Sequence, residues 1–239
     1  MPSIAENLAD VRARMERAAE RAGRAPGSVL LLAVTKTQPP ERVREVYAAG
    51  QRHFAENRVQ EFERKRPLLE LPGSEWHLVG HLQANKSHRA VQLFDVIETV
   101  DSERLARRLD EAKEQLLLSA GDRDGRGPHG LPVFLEVKLS AEPAKTGCSE
   151  EELPELARRV LEFPHLRLLG LMAMPPFTED PEGARPYYRR LREWAGRLGL
   201  RELSMGMTHD FEVAIEEGAT LVRIGTAIFG ERLATEPRP

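Results

Sequence analysis

The sequence predicts an α/β protein in which eight parallel strands and their helices form a (β/α)8 TIM barrel, with an extra helix at the N-terminus. Apolar runs and amphipathic segments alternate regularly along 239 residues, a length that such barrels occupy as one domain. The first run, Val29 to Val34, has no polar alternation, which is typical of a strand buried on both faces of a parallel sheet. An open doubly wound sheet is the alternative, but the G-x-G-x-x-G pattern that favours it follows no early strand. We therefore expect one barrel domain over residues 1–239.

The first half of the chain supplies four strand–helix units after a charged amphipathic helix. In the helix after the first strand, prolines open the segment, Val43, Val46 and Tyr47 share one face, and Gly50 ends it. The predicted strands are residues 29–36, 52–56, 75–80 and 95–100. The predicted helices are residues 4–22, 39–50, 57–69, 83–94 and 101–118.

The second half repeats the alternation after residues 119–130, a segment rich in glycine and charge. We interpret that segment as a mobile loop and not a domain linker, because the alternation resumes unchanged beyond it. The predicted strands are residues 131–139, 166–174, 202–207 and 219–225. The predicted helices are residues 149–163, 181–199, 208–218 and 226–233.

Composition narrows the classes of partner. The net charge of -3 and the pI of about 6.2 give no positive field for nucleic acid, and the basic and acidic residues are interleaved. No segment has the apolar core of a signal peptide or the length to span a bilayer, so we expect no membrane partner and a cytoplasmic protein. The single cysteine, Cys148, excludes an intrachain disulfide and is interpreted as a small packing residue.

The chemistry of such barrels lies at the C-terminal ends of the strands, where this sequence places a lysine, Lys36. The loops after the seventh and eighth strands carry hydroxyls and glycines suited to a phosphate: Ser204, Gly206, Gly225 and Thr226. With a phosphate site, the Lys36 amine could form a Schiff base with a sugar phosphate or with pyridoxal 5′-phosphate (PLP), whereas spacing alone equally allows a surface lysine.

Other polar residues are interpreted one by one. Arg223 interrupts the buried run "LVRIG" and requires partners, which a ligand at the barrel mouth would supply. His77 and His81 would lie about 13 Å apart on one strand, so a shared metal is not predicted. His77 is interpreted as a packed or interface histidine, and His81 as lining the mouth. No metal site and no catalytic residue are predicted.

Seven motifs together resemble the family of pyridoxal-phosphate homeostasis proteins, single-domain barrels similar to the N-terminal domain of alanine racemase. They cover Leu31 to Arg232 in family order. The motifs are "AVTKTQP", "FAENRVQE", "WHLVGHLQANK", "AKTG", "GLMAMPP", "LSMGMTHDFEVAI" and "VRIGTAIFG".

The resemblance implies that PLP is held as a Schiff base on Lys36 and that Arg223 faces the pyridine nitrogen. It implies a phosphate site formed by residues of the last two loops and a ring flanked by two further residues. The implied phosphate residues are Ser204, Met205, Gly206, Gly225 and Thr226. The implied ring neighbours are Asn57 and Met174. Two positions depart from the family pattern: Lys138 stands where asparagine is usual, and His209 where aspartate is common.

Two functions fit such a site: a carrier of PLP in vitamin B6 homeostasis without efficient catalysis, or a PLP-dependent amino-acid racemase of low activity. Racemisation needs a second acid–base group, and the three tyrosines are predicted on outer helices. We therefore expect the carrier, in monomeric form, with PLP-dependent apo-enzymes as possible acceptors. Lys86, Lys138 and Lys145 supply further amines near the mouth, which suggests the hypothesis that they relay PLP outward.

Overall fold

The computed structural model describes residues 2–120, 130–140, 142 and 146–230, and its strands close into an eight-stranded parallel barrel. Each strand pairs with the next along the chain, and the last pairs with the first, where Leu31 lies opposite Val222. The strands are β1 (Leu30–Val34), β2 (His53–Glu56), β3 (Glu75–Leu78), β4 (Val96–Val100), β5 (Leu131–Glu136), β6 (Leu166–Met172), β7 (Glu202–Met207) and β8 (Leu221–Ile224). The predicted TIM-barrel fold is confirmed.

Helices follow the strands around the outside of the barrel. They are α1 (Ile4–Arg21), α2 (Pro40–Ala48), α3 (Val59–Lys65), α4 (Ser87–Leu93), α5 (Glu103–Ser119), α6 (Leu153–Val160), α7 (Arg185–Leu198), α8 (Phe211–Glu216) and α9 (Thr226–Phe229). Short 3₁₀ segments are Arg66–Leu68, Ala84–Lys86 and Pro181–Ala184. Most of the predicted loop at 119–130, and the end of the last predicted helix, lie outside the described residues.

Two boundaries differ from the prediction in ways that matter to the site. β1 ends at Val34, so Lys36 lies in a turn two residues beyond the strand and not within it. The helix predicted at 57–69 is α-helical only to Lys65, because Pro67 has no N–H to donate and the chain continues as a single 3₁₀ turn. Both boundaries place polar residues around the Lys36 turn.

The apolar core has two layers, as a barrel requires. The inner layer fills the barrel with side chains that include Leu32, Val79, Phe134 and Met172. The outer layer, which contains Trp76, lies between the strands and the helices. Because adjacent residues of a strand point to opposite faces, the residues of each strand belong alternately to the inner and the outer layer.

The extra helix α1 packs beside α2, α8 and α9. Ser3 and Glu6 form a capping box at its first turn. Arg14 makes a two-pronged ion pair with Glu212 of α8, with nitrogen–oxygen distances of 3.2 and 3.1 Å. The helix is therefore part of the barrel's outer layer. Among the helices described here, none combines the length and the apolarity needed to cross a bilayer.

Candidate functional site

The turn that carries Lys36 lies at the C-terminal mouth of the barrel, where Lys36 is half-buried. The next residue, Thr37, has a backbone φ of 62°, an unusual conformation for a β-branched residue. Its N–H donates to Oε1 of Glu61 at 2.6 Å. A backbone held in this region stores strain that the surrounding contacts must offset. The turn is thus set by its neighbours and not by its own sequence preference.

Lys65 holds in place the residues that surround the Lys36 turn. Its Nζ donates to the carbonyl of Thr35 at 2.9 Å, to Oε1 of Glu56 at 2.7 Å and to Oε1 of Glu61 at 3.3 Å. Lys65 is 8% exposed and Glu56 is fully buried, so this ion pair lies outside bulk water. Burial raises the pKa of the Glu56 carboxyl, while Lys65 and Thr35 oppose that shift. We call Thr35, Glu56, Glu61 and Lys65 the turn clamp.

Arg223 lies inside the barrel on β8 and is 4% exposed. One guanidinium nitrogen donates to Oγ of Ser204 at 2.7 Å, and another donates to the carbonyl of Ala173 at 2.8 Å. Ser204 in turn donates to Oε2 of Glu98, a buried carboxylate on β4, at 2.5 Å. The expected partners of Arg223 are therefore provided largely by the barrel itself.

The polar chain continues from Glu98 toward the opposite end of the barrel. His77 Nδ1 lies 2.6 Å from Oε1 of Glu98, and His77 Nε2 lies 2.9 Å from Oε1 of Glu75. Burial disfavours charge on His77, but the two carboxylates outweigh it and raise its pKa to about 9. His77 is thus packed, as predicted. We call the connected residues His77, Glu98, Ser204 and Arg223 the interior chain.

The interior chain includes Ser204, one of the residues that the resemblance implies at the phosphate. Its hydroxyl donates to Glu98 and accepts from Arg223, and the residue is fully buried. In this arrangement the hydroxyl is engaged both as a donor and as an acceptor, and its role at a phosphate stays a prediction. The side chain of Met205 packs in the outer layer against the helices, and the predicted part of residue 205 in the phosphate site stays a prediction.

A hydroxyl that the sequence prediction omitted, Thr208, lies at the edge where the two last loops meet. Its Oγ1 accepts from the backbone N–H of Ala227 at 3.4 Å, which places it beside Gly225 and Thr226. Thr226 is exposed and Gly225 is half-buried. This edge therefore presents two hydroxyls and a residue without a side chain next to one another.

Gly206 is required for the packing of α8 against β7, and its predicted contact with a phosphate stays a prediction. Its φ is 93°, and a Cβ atom there would lie 2.6 Å from the Cβ of Ala214 and 3.0 Å from the Cα of Phe211. The missing side chain therefore lets α8 pack against the end of β7.

The remaining predicted residues lie around the same mouth. Asn57 is half-buried and, with His81 and Lys86, lines a cavity of about 360 Å³ between the loops after β2 and β3. Gly80 allows this arrangement, because a Cβ atom there would lie only 2.1 Å from the carbonyl oxygen of Asn57. Met174 follows β6 and is 36% exposed. Lys145 lies outside the described residues.

The two departures from the family pattern lie on the other side of the mouth. Lys138 is half-buried two residues after Glu136, a buried residue at the end of β5. Burial raises the pKa of Glu136, and Thr146 donates to its Oε1 at 2.6 Å. His209 is exposed; its Nε2 lies 3.0 Å from the carbonyl of Glu179, and its ring packs against Phe177.

Comparison with known proteins places this barrel in a family. Residues 7–233 match the family described as alanine racemase, N-terminal domain. The pyridoxal phosphate homeostasis protein of Aquifex aeolicus is 44% identical over 95% of this chain and 97% of its own length. The protein of the same name from Pseudomonas aeruginosa is 45% identical over 97% of each chain. The structure of PipY from Synechococcus elongatus with PLP bound has a TM-score of 0.79 and 38% identity, and it covers 95% of this chain and 100% of PipY. The chain belongs to the pyridoxal phosphate homeostasis proteins, a family of alanine racemase N-terminal-type barrels.

Proposed function

We propose that this protein binds PLP covalently through the amine of Lys36 and acts as a carrier in PLP homeostasis, without efficient catalysis. The observation that carries the proposal is the common position of three chemical groups at one barrel mouth: the clamped Lys36 turn, the Arg223 guanidinium and the edge formed by Thr208, Gly225 and Thr226. A primary amine, a cation and hydroxyl donors match the aldehyde, the ring nitrogen and the phosphate of PLP. The full-length relation to a PLP-bound homologue supports the same cofactor.

Each residue has a specific part in holding the cofactor. Thr226, with Thr208 as an additional hydroxyl beside it, would donate hydrogen bonds to the phosphate, together with the predicted residues Ser204, Gly206 and Gly225. Arg223, held by Ser204 and the carbonyl of Ala173, directs a permanent positive charge at the ring nitrogen. Asn57 and Met174 border the ring. Bound PLP supplies an electrophilic aldehyde and an electron-withdrawing ring.

The arrangement of the tyrosines favours the carrier over the racemase. A racemase needs one proton-transfer group on each face of the substrate carbon, and Lys36 supplies one. All three tyrosines lie on α2 and α7, as predicted. Tyr47 donates to the carbonyl of Pro72, and Tyr188 is fully buried. Burial and the nearby Asp210 raise the pKa of Tyr188 far above its ordinary value, which makes it unsuitable as a base.

The experiment that tests the carrier role combines PLP transfer with amino-acid turnover. Protein loaded with PLP is mixed with a PLP-dependent apo-enzyme, and recovery of that enzyme's activity is followed. The same preparation is incubated with alanine and other amino acids, and their chirality is measured. Transfer of PLP with negligible racemisation supports the proposal. Brisk racemisation contradicts the carrier role and favours the weak racemase.

We further propose the acceptors, the location and the oligomeric state of this protein. PLP-dependent apo-enzymes in the cytoplasm are its acceptors, and the protein acts as a monomer. Light scattering on the PLP-loaded protein tests the monomer, with the mass of one 26.9 kDa chain as the expected result. The mass of a dimer, at the concentrations of the transfer experiment, would contradict that part of the proposal.

A further inference from the structure

Three side chains at the N-terminal end of the barrel, opposite the Lys36 mouth, form a compact cluster of metal-binding groups. They are His53 on β2 and Glu75 and His77 on β3, and one ligand atom from each lies within 4.8 Å of the others. Parallel pairing sets His53 directly beside Glu75. His53 Nδ1 lies 3.2 Å and His77 Nε2 lies 2.9 Å from the same oxygen, Oε1 of Glu75.

Two of the three distances between ligand atoms are close to those around a tetrahedral metal ion. Zinc binds histidine nitrogen and carboxylate oxygen at about 2.0–2.2 Å, so its ligand atoms lie roughly 3.3–3.5 Å apart. Two of the pairs in the cluster are already near that spacing. Two histidines and one glutamate are also a known ligand set for zinc sites that keep the fourth position open.

A second feature independently points to a metal. The other nitrogen of His77, Nδ1, lies 2.6 Å from the buried carboxylate of Glu98. Histidines that bind metals almost always donate their second N–H to a carboxylate, carbonyl or water, which fixes the ring and strengthens the ligand. Glu98 is fully buried, so the His77 ring is held with Nε2 directed at Glu75.

The cluster can also be reached from solvent. His53 lines a cavity of about 330 Å³ between α1 and the start of β1 and β2, and its side chain is 35% exposed. Arg12, a cation on the wall of this cavity, is engaged with Oε1 of Gln51 at 3.1 Å. Glu75 would contact the proposed ion directly, and Glu98 lies next to it through His77, so the two carboxylates balance its charge.

We propose that His53, Glu75 and His77 bind a divalent zinc-class cation at the base of the barrel, with water at the fourth position. Binding replaces the proton on Nε2 of His77 and releases it to solvent. The site lies at the far end of the interior chain from Arg223 and is separate from the proposed PLP site.

Zinc titration of the full chain tests the proposal. The protein is treated with a chelator, desalted and titrated with Zn²⁺ against a chromophoric competitor, both with and without PLP. We expect one Zn²⁺ per chain in both states. The affinity should fall at least tenfold in the His53→Ala and Glu75→Gln variants, which avoid replacing a buried residue. The His88→Ala variant, which removes an exposed histidine on α4, should bind like the parent.

Cobalt gives a second readout that is independent of activity. Co²⁺ in the parent should show the intense visible absorption of a tetrahedral site, and the His53→Ala variant should lose it. Failure of the parent to bind zinc, or equal binding by parent and His53→Ala, would overturn the proposal. Since PLP uptake is measured on the same samples, loss of zinc binding with intact PLP uptake would leave the proposed function standing.

Discussion

Replacing Lys65 by methionine should destabilise the fold and loosen the Lys36 turn. The change removes three hydrogen bonds from the turn clamp and leaves the fully buried Glu56 without its cation. Breaking a buried pair by removing one partner costs about 3–5 kcal/mol, far more than an exposed pair is worth. We expect a loss of that size in the free energy of unfolding, measured by urea denaturation at pH 8.

The pH dependence of this loss distinguishes an unpaired charge from lost packing. Burial raises the pKa of Glu56 even with Lys65 present, so in the variant the carboxyl gains its proton more readily still. An acid whose pKa is raised on folding destabilises the folded state as the pH rises through that pKa. The cost of Lys65→Met should therefore be smaller at pH 5 than at pH 8, and Lys65→Met combined with Glu56→Gln should recover part of it.

The same variant links stability to PLP binding. Without Lys65, the contacts that hold Thr37 at its positive φ weaken, and relaxation of such a residue releases about 1–3 kcal/mol. Each ~1.4 kcal/mol changes an equilibrium tenfold, so the dissociation constant of PLP, measured by absorption titration, should rise about 5- to 150-fold.

Arg108→Met, which breaks an exposed pair with Glu111, is the matched control for the Lys65 variant and should change stability by less than about 1 kcal/mol. A similarly small loss for Lys65→Met, or an equal loss at both pH values, would show that Lys65 and Glu56 do not form a stabilising buried ion pair.

Three further predictions follow from buried groups. Glu98→Gln removes the carboxylate that accepts from Ser204, the residue that in turn accepts from Arg223, so the absorption spectrum of bound PLP should shift. An unchanged spectrum would argue against an influence of the interior chain on the PLP ring. Burial raises the pKa of Cys148 to about 12, so native protein at pH 8 should resist iodoacetamide and react only when unfolded, as mass spectrometry can show. Burial would raise the pKa of Glu217, but hydrogen bonds from arginines lower it below its ordinary value, so its stabilising effect should be lost on acidification. Melting curves from pH 7 to pH 3 should show a smaller acid-induced decrease for Glu217→Gln, and equal decreases would contradict this.

The barrel could be predicted from sequence because its signal is local and repeated. An unbroken apolar run such as Val29 to Val34 predicts a buried strand, and each amphipathic segment between the runs predicts a helix with one buried face. Arg223 was recognisable in the same way, as a single charge within an apolar run. Glu98 gives the same signal in "DVIETV", and that signal indicates a buried polar partner without saying which one.

The partners themselves could not be predicted, because they join residues far apart in the chain. Ser204 lies 106 positions from Glu98, and strand parity alone does not show whether its hydroxyl meets a carboxylate or a phosphate. The turn clamp depends on where α3 ends, and that boundary follows from Pro67. His53 and Glu75 become neighbours only through the register of β2 and β3, whereas the sequence interpretation considered histidines on one strand.

Borohydride reduction followed by peptide mapping shows whether Lys36 binds PLP. Protein incubated with PLP is reduced, digested and examined by mass spectrometry, with Lys36→Ala and Lys86→Ala treated in parallel. We expect a pyridoxyl group on the peptide containing Lys36 in the parent and in Lys86→Ala, and loss of the yellow absorption band in Lys36→Ala. A parent that takes up no PLP, or a label confined to another lysine, would contradict this expectation.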